Sequence, residues 1–293
     1  MFRSTAACAV TWALALSACQ HRPVYSAARY QTIDTALPSG ISGLALDEHG
    51  HLWAIPEREP VVAEIVLEDL RAHITLHPLD GIPRELDTEE IAYLGHGQFA
   101  IGVEAHDRPF AAVFIGALRS DGHIVVKQGY SFDSATLGVE LVANNGVEAL
   151  CGSGSQLLVG VETAGRTSTG TRFAPLVRIH GRTIKVQRLQ LTSDNGKLSA
   201  LSCGAEEDGA VELLAIERDF GVTRILRAES RAKETDVPST IVLDLWPLLR
   251  GRYASTLNLE GIVRLHDGRI VVVNDNVGAG LGGPTRLMIF TPE

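Results

Sequence analysis

Five stretches of the chain share one order of apolar and polar positions. Each has an apolar run, a short turn that contains glycine, and a second apolar run that ends in an acidic residue. The stretches are residues 41–58, 88–105, 147–163, 198–218 and 259–276. Short apolar runs bounded by glycine turns are typical of buried strands, so each stretch predicts a β-hairpin.

Two further strand-like runs follow the earlier hairpins, for example at 177–179 and 183–191 after the third. Four strands in repeats that begin 47 to 61 residues apart predict the blades of a β-propeller. The last repeat is one strand short, because only residues 285–291 follow its hairpin, whereas residues 30–35 form a strand-like run before the first repeat. We therefore expect the N-terminal strand to complete the last blade, which would protect the sheet edges.

The fold class predicted by this pattern is all-β, with a five-bladed propeller. Six blades are the alternative, because the long insertion at 219–257 has room for a degenerate blade. Within that insertion, residues 243–250 look like a short helix rather than a strand, which favours five. A composition with 29 glycines and 5% aromatic residues is also typical of strands joined by glycine-rich turns.

The first residues do not fit the strand pattern. Arg3 precedes an apolar stretch at 6–16 that is too short to span a bilayer and is typical of a secretory signal. The sequence Leu16–Ser–Ala–Cys19 resembles a bacterial lipobox, in which cleavage makes the cysteine the new N-terminus and its thiol is acylated. An ordinary signal peptide that contains a cysteine is the alternative.

This interpretation divides the chain into a signal peptide at 1–18, the lipidated Cys19 with a tether through residue 29, and one propeller domain at 30–293. Gln20 after the cysteine is typical of lipoproteins sent to an outer membrane. We therefore expect a lipid-anchored protein of the cell envelope, at the outer membrane and facing the periplasm. The oligomeric state is open, with a monomer as the expectation.

The charge balance limits the partners. With 26 basic and 35 acidic residues, the net charge of −9 gives no global attraction for nucleic acid or anionic lipid. An anionic ligand would need a local cation, and no nucleic-acid partner is expected. Of the four cysteines, Cys151 and Cys203 remain as ordinary thiols once the signal is removed and Cys19 is acylated. The sequence leaves open whether they form a disulfide or are packed separately.

Two columns of polar residues recur at equivalent positions of the five repeats. The first column opens each repeat and the second column ends its second strand. Because neighbouring strands are antiparallel, the start of one and the end of the next lie at the same end of a blade. Eight carboxylates are therefore predicted to converge on one mouth of the central channel. The first column is Ser42, Glu89, Glu148, Ser199 and Glu260, and the second column is Glu57, Glu104, Glu162, Glu217 and Asp275.

Clustered carboxylates repel one another unless a cation neutralises them, and Ca²⁺ prefers six to eight oxygen ligands in irregular geometry. All eight acids are therefore candidate Ca²⁺ ligands. The alternative is that they cap neighbouring blades by accepting backbone N–H bonds. Arg58, Arg166 and Arg218 lie at the same rim, where they either pair with acids of the second column or bind a phosphate or carboxylate group beside the metal.

Several short motifs resemble the phytase-like family, also described as "esterase-like activity of phytase". They are Asn145–Gly–Val–Glu148, Asn258–Leu–Glu–Gly261, Leu214–Ala–Ile–Glu–Arg–Asp–Phe220 and Val273–Asn–Asp–Asn276. The resemblance spans residues 38 to 290. It implies a propeller whose recurring acids form the active or metal-binding centre, in a family with many secreted or lipid-anchored members. Ser42 and Ser199 depart from the acidic pattern, which implies fewer ligands on those two blades.

Three functions follow as hypotheses. The first is a Ca²⁺-dependent hydrolase of phosphate or related esters, in which Glu89, Glu148 and Glu260 act with the second-column acids and Arg58 or Arg218 stabilises the oxyanion. The second is a lactonase-type propeller that also holds calcium. The third is a non-catalytic propeller that binds a ligand or partner protein at the cell envelope. A small molecule, which in the first hypothesis is phosphorylated, is the expected ligand.

Overall fold

The computed structural model describes residues 24–68, 71–249, 258–277 and 283–293. The predicted signal peptide and Cys19 lie outside these residues. The first strand, β1 (Tyr25–Asp34), begins before the predicted domain boundary at residue 30 and therefore includes part of the predicted tether.

The described strands group into units of four antiparallel strands, which we number in chain order. Unit 1 contains β2 (Ile41–Leu46), β3 (Leu52–Pro56), β4 (Val61–Glu68) and β5 (Arg71–Asp80). Unit 2 contains β6 (Leu86–Gly95), β7 (Gln98–Ala105), β8 (Ala111–Leu118) and β9 (Ile124–Phe132). The outer strands β5 and β9 pair in parallel through Leu79 and Ile124, so these two units form one continuous sheet.

A short helix, α1 (Ser134–Leu137), leads into unit 3. Unit 3 contains β10 (Val147–Ser153), β11 (Gln156–Val161), β13 (Arg172–His180) and β14 (Thr183–Gln190), with a two-residue strand β12 (Gly165–Arg166) beside β13. Unit 4 contains β15 (Lys197–Glu207), β16 (Ala210–Asp219), β17 (Val222–Arg231) and β19 (Ser239–Asp244). Between them, β18 (Asp236–Val237) pairs with β14.

Unit 5 closes the chain on itself. Helix α2 (Trp246–Leu249) precedes β20 (Leu259–Arg264), β21 (Ile270–Asn274) and β22 (Arg286–Pro292). The fourth strand of this sheet is β1, which pairs with β22 from Ile33 opposite Leu287 to Tyr30 opposite Phe290. The prediction that the N-terminal strand completes the last blade is therefore confirmed.

The apolar core follows the boundaries between units. The buried apolar side chains of the described residues form five clusters, and each cluster joins two neighbouring units. Trp53 of unit 1 packs edge-on against Phe99 of unit 2, and Leu44 of unit 1 shares a cluster with Val271 of unit 5. Since each fully buried leucine or valine contributes about 2 kcal/mol, these clusters hold the units in a ring.

The hairpin turns have the chemistry that the sequence predicts. Gly50 adopts a φ of +86° and donates its N–H to the carbonyl of Asp47. The side chain of Asp47 accepts the N–H groups of His49 and His51 at 2.9 Å, which stabilises the turn between β2 and β3.

The all-β propeller prediction is confirmed by this sheet order. The described residues hold five four-stranded units, and β17 and β19 of the 219–257 insertion belong to unit 4. The blade count itself stays a prediction, because residues 250–257 lie outside the described part. Neither described helix is long enough to cross a membrane.

The structure joins Cys151 of β10 to Cys203 of β15 by a disulfide, with 5.4 Å between the Cα atoms. The bond links units 3 and 4 and settles the alternative that the sequence left open.

Candidate functional site

A β-bulge occupies the same position at the start of the innermost strand of every unit. In unit 2, for example, Thr88 pairs with Val103 and Glu90 pairs with Gly102, which leaves Glu89 as the extra residue. A bulge bends its strand and re-aims the side chain of the unpaired residue. The bulged residues are Ser42, Glu89, Glu148, Ser199 and Glu260, which are the whole first column.

Three buried carboxylates meet in the part of the mouth formed by units 2 and 3. Oxygen atoms of Glu89, Glu104 and Glu148 lie within 4.8 Å of one another. The side chain of Glu89 also meets Glu57 and Asp87 within the same limit. The five residues form one acidic cluster that shares Glu89, and we call it the carboxylate cluster. Four of its members belong to the two columns predicted from the sequence, whereas Asp87 does not.

Burial and mutual repulsion dominate the electrostatics of the cluster. Burial, followed by the charges of neighbouring glutamates, raises the pKa of Glu89 and of Glu148 well above the usual range. Burial also raises the pKa of Glu104 to about 7, although the backbone N–H of Gly146, at 2.7 Å from its Oε2, partly offsets this. Among the described residues, no arginine, lysine or histidine forms an ion pair with these three glutamates. The cluster therefore needs bound protons or a bound cation.

Three cations lie around the mouth, and one of them, Arg58, pairs with Glu57 of the carboxylate cluster. The Arg218 guanidinium grips Glu260 at two points, with Nε donating to Oε2 at 3.1 Å and Nη2 donating to Oε1. Arg58 pairs with the adjacent Glu57 through Nη2 at 2.7 Å, and its side chain is 62% exposed. Lys197, which the sequence analysis missed, lies 3.3 Å from Glu162. Each therefore neutralises one acid, and Arg218 does so for an acid of the next unit rather than for the adjacent Glu217.

Arg166 lies apart from the second-column acids. Its Nη1 donates to the carbonyl of Gly170 and its Nη2 lies 3.7 Å from the carboxylate of Asp194. The pairing of Arg166 with an acid of the second column, which the sequence suggested, is therefore not observed.

Glu217 caps a loop. Its carboxylate accepts the backbone N–H groups of Thr192 and Ser193 and both of their hydroxyl groups. The side chain is fully buried, and these donors occupy both of its oxygens. The capping role that the sequence analysis kept as an alternative therefore fits Glu217, and a metal ion has no free oxygen there to bind.

Asp275 also accepts hydrogen bonds, as the capping alternative predicts. Its Oδ1 accepts the N–H of Val277 at 2.7 Å and its Oδ2 accepts the side-chain amide of Asn258 at 2.8 Å. Burial raises its pKa, while these hydrogen bonds oppose the shift. The carboxylate therefore holds the loops of unit 5 at the mouth.

The two serines of the first column also bind backbone. Ser199 donates its hydroxyl to the carbonyl of Leu259 at 2.9 Å, and Ser42 donates to the carbonyl of Gly40 at 3.4 Å. Units 1 and 4 thus bring no first-column acid, and the cluster is confined to one side of the ring.

Glu90 is a functional candidate that the sequence analysis missed. Its side chain is fully buried, and its Oε1 accepts the N–H groups of Leu44 and Ile91 at 3.0 Å. Its Oε2 has no hydrogen-bond partner among the described residues, and burial raises its pKa well above the usual range. Gly43 makes room for it, since a Cβ there would lie 2.2 Å from its Oε1. The only sequence signal was a second acid inside an apolar strand.

The donor set of the carboxylate cluster suits Ca²⁺. It offers carboxylate oxygens from Glu57, Asp87, Glu89, Glu104 and Glu148, without sulfur or imidazole ligands. Ca²⁺ is favoured by hard oxygen ligands and tolerates irregular geometry. Beside the cluster, a cavity of about 620 Å³ opens between units 1 and 2, with Glu57, Arg58 and Thr88 among its lining residues. The mouth thus combines an oxygen-rich site with space for a small molecule.

Comparison with known proteins gives one family match. A model described as "Phytase-like: Esterase-like activity of phytase" matches residues 38–276. No curated protein matches the chain.

Several solved structures share the fold. The PQQ-bound aldose sugar dehydrogenase of Streptomyces coelicolor is 11% identical, with a TM-score of 0.52 over 92% of this chain and 100% of that one. The α-L-arabinanase of Penicillium chrysogenum is 10% identical, with a TM-score of 0.52 over 88% and 97%. The calcium-binding protein regucalcin of Agrobacterium tumefaciens is 10% identical, with a TM-score of 0.50 over 87% and 92%. At such low identity these similarities support the fold alone.

Proposed function

Since the chain belongs to the phytase-like family, we propose that it is a Ca²⁺-dependent hydrolase of phosphate or related esters, with the carboxylate cluster as its centre. The single observation that carries the proposal is the meeting of Glu89, Glu104 and Glu148 in a buried site without a cationic side chain. An arrangement of this kind is costly for a protein that uses it only for stability, because each buried charge must be neutralised.

A bound Ca²⁺ ion would supply a positive charge that polarises the ester and stabilises the negative charge of the transition state. Glu89 and Glu148 would hold the ion, because their bulges aim both side chains into the mouth. Glu57, Asp87 and Glu104 complete the oxygen set. The calcium-binding regucalcin has the same fold, so this architecture accommodates calcium in that protein.

Arg58 is the cation best placed to bind the substrate. Its side chain is 62% exposed and lines the cavity beside Glu57. A guanidinium matches two oxygens of a phosphate or carboxylate at once, so Arg58 can orient an anionic ester against the cluster. Arg218 is less available, because its side chain is only 23% exposed and pairs at two points with the buried Glu260. We assign Arg58 to oxyanion binding and Arg218 to holding Glu260.

We also infer that the protein is a lipoprotein of the cell envelope, anchored through Cys19. The inference rests on the lipobox-like sequence before Cys19 and on Gln20 after it. Since β1 begins at Tyr25, the tether between the lipid and the propeller would be short.

The activity is tested with a chromogenic phosphate monoester and, separately, with a lactone, each with added calcium and with a chelator. We expect calcium-dependent phosphate release that falls by at least about tenfold in Glu148→Gln, because a ligand of the ion is lost. The exposed Glu234→Gln serves as the matched control and should leave the rate unchanged. Faster turnover of the lactone would favour the lactonase alternative. A chain that binds calcium but hydrolyses neither substrate would contradict the proposed activity and favour the non-catalytic binding protein.

A further inference from the structure

A second group of metal-ligand side chains lies on unit 1, away from the carboxylate cluster. His51 precedes β3, Glu64 is in β4 and His77 is in β5, and all three lie on the sheet face of Trp53. His51 follows the β2–β3 turn, at the end of the unit opposite Ser42 and Glu57. The group is partly buried, with His77 only 12% exposed.

Both oxygens of Glu64 contact an imidazole. Oε1 lies 2.7 Å from Nδ1 of His51, and Oε2 lies 3.2 Å from Nε2 of His77. The first contact is an ordinary hydrogen bond if Nδ1 of His51 carries a hydrogen. The second contact cannot be explained in the same way.

The other nitrogen of His77 determines its tautomer. Nδ1 of His77 lies 3.0 Å from the carbonyl oxygen of Gly122, in the turn between β8 and β9. A carbonyl oxygen only accepts, so Nδ1 must carry the hydrogen. A neutral imidazole has one such hydrogen, which leaves a lone pair on Nε2 facing a carboxylate oxygen. Two lone pairs repel at this distance, so the contact requires a positive species, which is either a proton or a metal ion.

The surroundings favour a metal ion. A histidine that binds a metal commonly donates its second ring N–H to a backbone carbonyl, as His77 does to Gly122. Two ligands that are each about 2.0 to 2.1 Å from a tetrahedral Zn²⁺ lie about 3.3 Å apart, close to the 3.2 Å between His77 Nε2 and Glu64 Oε2. The ligand atoms of His51, Glu64 and His77 do not all lie within 4.8 Å of one another, so His51, whose side chain is one-third exposed, must turn to supply a second nitrogen.

Further contacts add charge and shielding. Asp47 Oδ2 lies 3.8 Å from His51 Nδ1, and Asp47 is held in place by the indole N–H of Trp53. The Trp53 ring packs against the His77 ring with 5.3 Å between centroids. His49 faces His51 with 6.1 Å between their rings. The group of His51, Glu64 and His77 therefore has negative charge beside it and an apolar wall on the side toward unit 2.

We propose that His51, Glu64 and His77 form a binding site for a divalent transition-metal ion of the Zn²⁺ class. His77 and Glu64 are the primary ligands and His51 is the third donor. Imidazole nitrogen distinguishes this site from the all-oxygen carboxylate cluster, because nitrogen ligands favour Zn²⁺ over Ca²⁺.

The test is a calorimetric titration of the chain with ZnCl₂ in saturating CaCl₂. The calcium competes with zinc for the carboxylate cluster, so that the titration reports on the histidine site. Glu64→Gln is the sharpest variant, because its amide can donate to His77 and accept from His51 while its charge is lost. His77→Gln removes the other primary ligand. His73→Gln is the matched control, since His73 is on the same strand and is 64% exposed.

We expect one zinc ion per chain in the wild type and in His73→Gln, and binding at least about tenfold weaker in Glu64→Gln and His77→Gln. Co²⁺ at the same site should give visible absorption that both variants lose. Equal zinc binding by Glu64→Gln, His77→Gln and the wild type would overturn the proposal. A folded wild type that binds no zinc would also overturn it, and would identify the shared species as a proton.

Discussion

Arg218 of unit 4 and Glu260 of unit 5 form a two-point ion pair across the boundary between their units. Nε donates to Oε2 at 3.1 Å and Nη2 donates to Oε1. Glu260 is the bulged residue of its strand and is 8% exposed, so Arg218 provides the charge that makes its burial tolerable. The pair neutralises Glu260, whereas Glu89, Glu104 and Glu148 have no ion-pair partner among the described residues.

Loss of this pair should be costly. Arg218→Ala leaves Glu260 buried without its partner, and we expect a loss of about 3 kcal/mol in the free energy of unfolding. Arg58→Ala removes an exposed ion pair and should cost less than about 1 kcal/mol. Urea unfolding of the two variants measures the difference, and equal losses would show that the pair at Glu260 has no special role.

Stability without calcium should fall as the pH rises. Burial raises the pKa of Glu104 and that of Glu260 to about 7 from an ordinary value of 4.5. The folded state therefore holds protons that the unfolded chain has lost, and the stability they contribute is present below pH 4.5 and disappears toward pH 7. Melting temperatures in chelator between pH 4.5 and 7.5 test this. Glu104→Gln should flatten the profile, and stability that instead rises through this range would contradict it.

Glu90 should show the same dependence without any link to calcium. Its raised pKa means that the folded state keeps a proton above pH 4.5. Glu90→Gln removes that dependence, so its stability relative to the wild type should grow between pH 5 and 8, by up to roughly 1.4 kcal/mol per pH unit. Urea unfolding at several pH values measures this slope. A difference that does not change with pH would show that Glu90 ionises as freely as an exposed acid.

The disulfide should be detectable by alkylation. Denatured chain without reductant should show no reactive thiol at Cys151 or Cys203. The two residues are 52 positions apart, so replacing both with serine should cost about 4 kcal/mol in the chain-entropy model. Mass spectrometry of the alkylated peptides provides the measurement, and two labelled cysteines would show that the bond does not form.

The fold could be predicted from the sequence because the same hairpin pattern recurs five times. Five hairpins of similar pattern, and a strand at the N-terminus that the last repeat lacked, are enough to predict a propeller closed by β1. The two columns were also visible, since Glu89, Glu148 and Glu260 recur at one position. The order of apolar, glycine and acidic positions in the repeats is enough to predict the blades and the two columns, and no contact needs to be known.

Strand pairing and contacts between distant side chains could not be predicted from the sequence. The bulges depend on how each innermost strand pairs with its neighbour. Aligning the repeats identifies equivalent residues, but it does not show which residue is left unpaired. Glu217 looked like its column partners, yet the loop at Thr192 and Ser193 surrounds it. The partner of Arg218 lies 42 positions away. Similarly, nothing in the sequence links His51 to His77, and only the fold of unit 1 brings both side chains to Glu64.

Calcium binding at the carboxylate cluster is the central claim, and calcium-dependent thermal stability tests it most directly. Binding to the folded state alone raises the free energy of unfolding with ligand concentration. We expect added calcium to raise the melting temperature, chelator to lower it, and Glu148→Gln to lose most of the response. Glu217→Gln is the control: it should melt earlier because its cap is weakened, yet keep the calcium response. A wild-type melting temperature that is the same in calcium and in chelator would contradict the account.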